Sequence, residues 1–290
     1  MKIVIIGAGG RLGAALLREY RAKFGVIGFN RAQLDLANGK QIVDLIGPLE
    51  FDVLINAAAL TNVDYCETHR EEAFGINAEA PRVLAEICGR RNAKLIHFST
   101  DYVFDGEKSE PYEEEDEARP ISVYGESKRE GERNVFAAGD RHLVVRVSWV
   151  FGPDRPSFVD AIINRALESE NVDAIADKFA TPTYTRDIAE MLPHFFTAGS
   201  GDNILHFANA GECSWQEYAQ WALDCCHECG VPLKARKVAP LKLSEMKNFV
   251  ARRPAYSVLS TAKYAALRGA SPRAWRDAVV DYIKHLYFKK

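Results

Sequence analysis

No apolar stretch in this sequence approaches the roughly 20 residues that a membrane-spanning helix needs. The first apolar run, residues 3–6, ends at Gly7 and is too short for the core of a signal peptide. A basic stripe is also missing. Net charge is −3 with both signs interspersed, so neither nucleic acid nor a membrane is an expected partner. The one dense charge block is acidic, residues 113–116. Cysteine is sparse: six residues, at positions 66, 88, 213, 225, 226 and 229, do not make a disulfide framework in a chain of 290. A reducing cytoplasm is the expected home. The run Cys225, Cys226, His227, Glu228, Cys229 resembles metal-ligand chemistry, but no second, distant ligand pair accompanies it. Small buried thiols are expected there, and no metal.

What is present is an ordinary globular balance, 47% apolar and 27% charged, with enough chain for one large domain or two unequal ones. The first half alternates two periods. KIVIIG, VIGF, FDVLIN, AKLIHFS and HLVVRVSWV are nearly continuous apolar runs, as strands covered on both faces require. Helical patterns lie between them at residues 11–23, 67–90 and 124–137. Strands alternating with helices predict a Rossmann-type α/β fold, a doubly wound parallel sheet. After residue 150 the rhythm changes to helices near 157–168, 187–198 and 215–229, broken by short extended pieces and prolines. A closing helix is expected over 272–287, with Pro272 near its first turn and basic residues at its end. The expected division is a dinucleotide-binding domain over 1–150, with a return of the chain near 184–207, and a smaller mixed α/β substrate-binding region over 151–290.

Gly7, Gly10 and Gly13 fall between the first strand and an Ala/Leu-rich helix. Glycine is required where the backbone turns tightly and approaches a pyrophosphate, and the helix N-terminus then offers free N–H groups to the phosphates. The second strand ends at Asn30 and Arg31, where an acidic residue would bind ribose hydroxyls and repel a 2′-phosphate. A guanidinium there, with Arg11 nearby, fits a phosphate instead, so NADP(H) is expected ahead of NAD(H). Two merely solvated arginines are the other reading.

Tyr124 and Lys128 in SVYGESK stand four apart, on one helix face. Reducing a carbonyl requires a hydride and a proton delivered to the oxygen. A tyrosine can donate that proton if its pKa falls from about 10 toward neutrality, about 4 kcal/mol of differential stabilisation. An ammonium one turn away contributes to that shift. HFSTDYVFDG ends a buried strand where ligands collect in open α/β sheets, and its Ser99 and Thr100 hydroxyls can reach a carbonyl oxygen. The chain therefore reads as a nicotinamide-dependent reductase.

The glycine triplet, NAAALTNVDYCE, STDYVFDG, PYEEEDEARP, VYGESK, VRVSWVFG, ATPTYTRDIA and ARRPAYSVL together resemble the extended short-chain dehydrogenase/reductases over nearly the whole length. Within that group the chain resembles the dTDP-4-dehydrorhamnose reductases. The resemblance implies Thr100, Tyr124 and Lys128 as catalytic residues. It places Gly7, Gly10, Arg11, Leu12 and Gly13 at the pyrophosphate, Asn30 and Arg31 at the adenosine ribose, and Asp35 and Leu36 at the adenine. Ala59, Leu60, Thr61 and Phe98 would continue the cofactor wall, with Tyr124 and Lys128 at its nicotinamide end. Asp101 and Trp149 would contact the sugar beside Thr100 and Tyr124, and Arg253 rather than Arg252 would meet the nucleotide diphosphate. Without the resemblance, Trp149 reads as a core aromatic, and Arg253 could equally belong to a structural pair. Two residues depart from the family pattern, Lys178 and Ala180. The implied partner is a nucleotide sugar; a homodimer is left open, and no metal is required for the chemistry. Two other functions fit the same motifs: a related nucleotide-sugar reductase or epimerase, and an NADP-binding regulatory subunit similar to that of methionine adenosyltransferase.

Overall fold

The apolar runs of the first half become one parallel sheet in a computed structural model, which describes residues 1–197 and 203–287. In chain order the first half runs β1 (Lys2–Ile6), α1 (Arg11–Tyr20), β2 (Gly25–Phe29), α2 (Gly39–Ile46), β3 (Val53–Asn56), α3 (Val63–Thr68), α4 (Arg70–Phe74), a π turn (Gly75–Glu79), α5 (Ala80–Arg90), β4 (Lys94–Thr100), α6 (Val123–Ala137) and β5 (Leu143–Val147). The second half adds β6 (Val150–Phe151), α7 (Phe158–Glu168), β7 (Val172–Ile175), β8 (Phe179–Ala180), β9 (Thr183–Tyr184), α8 (Thr185–Met191), β10 (Ile204–His206), β11 (Cys213–Ser214), α9 (Trp215–Glu228), β12 (Val238–Leu241), α10 (Ala262–Arg268) and α11 (Trp275–Tyr287).

The main sheet has six strands in the order β10-β5-β4-β3-β1-β2, all parallel. Along β1, Ile3 and Ile5 enter one core with Leu16, Tyr20 and Ile188, while Val4 and Ile6 enter the other with Ile42, Leu54 and Leu84. Alternate residues of a strand point to opposite faces, and both faces here are covered. That is why the sequence shows no alternation. Strand order reverses between β1 and β3, which opens a crevice at the carboxyl ends of these strands. The second half builds its own core from α7, α9 and α11, with Val159, Ile162, Tyr218, Leu223, Val279 and Tyr282 buried together. Short pairs, β12 with β7, β11 with β8 and β6 with β9, surround that core.

Several elements differ from the expectation. The helix expected over 67–90 is broken: His69 leaves helical geometry at φ −131 and ψ 54, stacking its ring on Tyr65, and a π turn follows α4. The last apolar run stops at Val147, because Trp149 takes a left-handed φ of 39 and turns the chain into β6. The closing helix begins at Trp275 rather than Pro272. Before it, the chain exchanges backbone bonds with Ala210, which donates to the Arg273 carbonyl and accepts from the Trp275 N–H. The helix expected over 187–198 is α8 followed by a 3-10 turn at Leu192–Phe195, where Pro193 supplies no N–H. Ala198 of that expectation, and the terminal Lys289 and Lys290, lie outside the described residues. No described helix is long and apolar enough to cross a membrane.

Candidate active site

The glycine loop joins β1 to α1 at the strand-order reversal. Gly7 has φ +84, and a Cβ there would stand 2.8 Å from the Ala58 nitrogen in the loop after β3. A Cβ on Gly13 would stand 2.1 Å from the Gly7 carbonyl oxygen, so α1 can pack on the loop only with glycine there. Gly10 caps α1 without a side chain. The first helical N–H groups, at Arg11, Leu12 and Gly13, have no intrahelical partner and face an anion with the positive end of the helix dipole. These glycines fit a dinucleotide pyrophosphate.

At the end of β2, Asn30 folds back on its own turn, accepting from the N–H groups of Ala32 and Gln33. Arg31 is exposed beside it, Asp35 accepts from the Ala37 N–H, and Leu36 is buried. Arg11 behaves differently from the expectation. Its guanidinium donates to the carbonyls of Arg155 and Pro156, from the second half of the chain, while Arg155 donates to the Gly9 carbonyl at 3.0 Å. The segment 153–157 thus reaches over the glycine loop, and Arg11 is committed to main-chain oxygens. On the opposite wall, the loop Ala59, Leu60, Thr61 is fixed by Asn77 of the π turn. Asn77 Oδ1 accepts from the Leu60 N–H at 2.8 Å, and its Nδ2 donates to the Leu60 carbonyl at 3.0 Å.

Helix α6 lies against β4 and brings Tyr124 to the strand's carboxyl end. Its N-terminus is capped by Ser122, which accepts from the Gly125 N–H at 3.2 Å. Gly125 and Gly131 permit the close approach: a Cβ on either would stand within 2.2 Å of a carbonyl oxygen, of Tyr102 or Asn77 respectively. Thr100, Tyr124 and Lys128 are all buried. Lys128 donates to the Phe98 carbonyl at 2.7 Å, and its Nζ lies 3.3 Å from His97 Nε2. Burial pulls the lysine pKa down to about 8. Burial also drives the His97 pKa well below its ordinary value, with the Lys128 charge adding to the shift, so that ring is neutral. The tyrosine differs from the expectation. Burial raises the Tyr124 pKa, opposed by a hydrogen bond with Thr100. Burial therefore outweighs the expected fall of this phenol toward neutrality, and the Lys128 ammonium is held by β4.

Behind Thr100 lies a second buried cluster that sequence reasoning did not assemble. Asp101 accepts from Thr100 Oγ1 at 3.1 Å, Ser148 at 3.0 Å and Ser257 at 2.6 Å. Lys178 is fully buried nearby, donating to the Pro254 carbonyl at 2.6 Å, with its ammonium 5.2 Å from the Tyr102 ring and 5.9 Å from Trp149. Burial lowers its pKa to about 8, against the favourable charge of Asp101. Trp149 stacks at 6.2 Å on Tyr218, and its indole Nε1 is buried without a hydrogen-bond partner. Arg253 is already paired: NH1 and NH2 reach Asp64 at 3.0 and 2.7 Å, and the guanidinium covers the Phe249 ring at 3.5 Å. The six cysteines are free, and among the described residues no group of three or more His, Cys, Asp or Glu could hold a metal.

A doubly wound sheet with a glycine-lined crevice and a Tyr/Lys pair on the helix beside it defines an extended short-chain dehydrogenase/reductase. Within that class, the chain belongs to the family described as RmlD substrate binding domain, which matches residues 1–288. It is 34% identical over 286 residues to the spore coat polysaccharide biosynthesis protein SpsK of Bacillus subtilis (strain 168), covering 98% of this chain and 97% of that protein. It is 37% identical over 286 residues to the dTDP-4-dehydrorhamnose reductase of Mycobacterium tuberculosis (strain ATCC 25618 / H37Rv), covering 96% and 91%. A crystal structure of dTDP-4-dehydrorhamnose reductase from Bacillus anthracis str. Ames, in complex with NADP, superposes with a TM-score of 0.91 at 30% identity, covering 98% of this chain and 99% of that one.

Proposed function

We propose that this chain reduces the C4 keto group of dTDP-4-dehydro-L-rhamnose to give dTDP-L-rhamnose, with NADPH as the reductant. The observation that supports this is that Thr100 ends β4, with Tyr124 packed beside Tyr102 just after that strand and Lys128 bonded to the Phe98 carbonyl within it. Bound NADPH supplies the hydride that reaches C4. Tyr124 delivers its phenolic proton to the carbonyl oxygen as negative charge develops there. Thr100 lowers the Tyr124 pKa against its burial, and Lys128 lends positive charge to the same pocket. Burial of all three excludes water, so each charge interaction acts at full strength.

Gly7, Gly10, Arg11, Leu12 and Gly13 hold the pyrophosphate through their backbone, while Asn30, Arg31, Asp35 and Leu36 receive the adenosine end. The exposed Arg31, in place of a carboxylate, supports the preference for NADPH. Trp149 offers its unpartnered indole N–H to the sugar. Residues 1–150 then form the cofactor half, rejoined near 184–207, and 151–290 mainly the substrate half; the pairing of β10 with β5 supports that return. Free thiols throughout suit work in the cytoplasm.

The test is NADPH absorbance followed with dTDP-4-dehydro-L-rhamnose as substrate. Wild type should consume NADPH, and Tyr124→Phe should lose about 100-fold or more in kcat while still binding NADPH. A Tyr124→Phe protein with full turnover contradicts the assignment. Cofactor binding with no oxidation by wild type would point instead to a regulatory subunit.

A further inference from the structure

Arg155 lies in the segment 153–157, which runs from β6 to the Ser157 cap of α7. Its side chain nevertheless reaches the first half of the chain, where Nε donates to the Gly9 carbonyl at 3.0 Å. Three further contacts pin the same segment to α1. Arg11 Nε donates to the Arg155 carbonyl at 3.2 Å, Arg11 NH2 donates to the Pro156 carbonyl, and Arg18 pairs with Asp154. All four join a loop of the second half to the glycine turn and the helix that follows it.

The distribution of positive charge gives this clasp its meaning. The sequence offers Arg11 as the cation of the glycine loop, but that guanidinium is half-buried and spent on two main-chain carbonyls. Arg155 is exposed and spends only its Nε–H. A guanidinium carries five N–H donors in one rigid plane. Among the described residues, no acceptor stands within hydrogen-bond distance of the terminal amines of Arg155. Gly9 immediately precedes Gly10, the cap of α1, so fixing Nε on the Gly9 carbonyl also fixes those amines beside the first turn of the helix. The free N–H groups of that turn face an anion. A phosphate oxygen arriving there meets a side chain whose freedom is already restricted, which lowers the entropy cost of the contact.

We infer that Arg155 is a further cofactor-binding residue, delivered by the second half of the chain, whose terminal amines complete the pyrophosphate site that the α1 N–H groups begin. Arg11 is then the positioning residue that pins the segment in place. The inference rests on the reading of the glycine crevice as the dinucleotide site and requires nothing of the sugar.

Cofactor titrations of the full chain, without sugar, test it. Arg155→Ala should weaken NADPH and NADH alike, by about tenfold, as suits a charge-assisted contact at an exposed position. NADH has the same pyrophosphate and no 2′-phosphate, so the matched loss locates the contact. The variant should also flatten the salt dependence of NADPH binding, since one screened charge interaction is gone. Arg11→Met should weaken both cofactors as well, and the double variant should lie within about twofold of the weaker single one, because Arg155 acts only where Arg11 holds it. Unchanged affinity for both cofactors in Arg155→Ala overturns the inference. So does a loss confined to NADPH, which would mark a 2′-phosphate contact, and so does a loss with the salt dependence of wild type, which would mark a purely structural clasp. Fully additive losses in the double variant would refute the role given to Arg11. Wild type that binds neither cofactor would overturn the crevice reading itself and this inference with it. Turnover of the sugar is measured separately, so failure of the sugar assignment is distinguishable from failure here.

Discussion

Arg253 illustrates how much a single residue's partner decides. The sequence offers it as a candidate for a nucleotide diphosphate, but its planar fork is filled by the Asp64 carboxylate, which also accepts from the N–H groups of Val250 and Ala251 at 2.9 Å. The Arg253 hydrogen bond, ahead of these backbone donors, holds the Asp64 pKa down to about 2 from an ordinary 3.8. A carboxylate depressed on folding stabilises the native state at pH above its unfolded value, and that contribution fades as pH falls through the folded one. The loop carrying Arg253 should therefore stay clasped at mildly acidic pH and loosen only near pH 2. A carboxyl-detected NMR titration should put the Asp64 midpoint near 2 in wild type and return it toward the ordinary range in Arg253→Ala. An unmoved midpoint would mean that the backbone donors alone set it. Residue types legible in sequence were those whose chemistry is local: the glycines, and the Tyr124/Lys128 pair one turn apart. His97, Ser148 and Ser257 gave no such signal, because each acquires its role from a partner 31 to 156 positions away.

Among the elements, strands were the most legible and the region after β3 the least. Residues 67–90 carry a continuous helical pattern, yet the chain divides there into α4, a π turn and α5. The π turn buries Asn77, whose amide closes the Leu60 loop and also donates to Ser127 at 3.0 Å. Asn77→Ala would leave the Leu60 N–H and carbonyl without that partner, at a cost of about 1–3 kcal/mol. Thermal or denaturant unfolding should register that loss, and NADPH affinity should fall with it because Leu60 lies on the proposed cofactor wall. Unchanged stability and affinity would show that the π turn does not fix this loop. Helix α2 escaped sequence reading for a simple reason: it has eight residues, of which only Ile42 and Ile46 are buried. The acidic block at 113–116 also changes meaning in three dimensions. Glu114 is buried and accepts from the His206 N–H of β10 at 2.8 Å, so one of its charges ties the acidic loop to the sheet edge.

For the molecule as a whole, fold and chemistry meet along the carboxyl edge of the main sheet. The reversal of strand order makes the crevice, Gly7 and Gly13 allow backbone to pack tightly within it, and α6 carries Tyr124 and Lys128 to the end of β4. The second half reaches back to the site at several places, among them Arg155 on the glycine loop and Ser257 on Asp101. The passage from the main sheet to a second core was readable from the change in sequence rhythm after residue 150. Return contacts such as these were not readable, since no local pattern announces them. The proposed reaction is a net reduction, whereas extended short-chain enzymes that epimerise sugars use the same tyrosine and lysine without net consumption of cofactor. Isotope transfer separates the two most directly. Incubated with dTDP-4-dehydro-L-rhamnose and NADPH deuterated at its transferable position, the protein should consume one cofactor per sugar and yield dTDP-L-rhamnose carrying a single deuterium at C4. Sugar that turns over with no deuterium gained and no cofactor consumed would contradict the account.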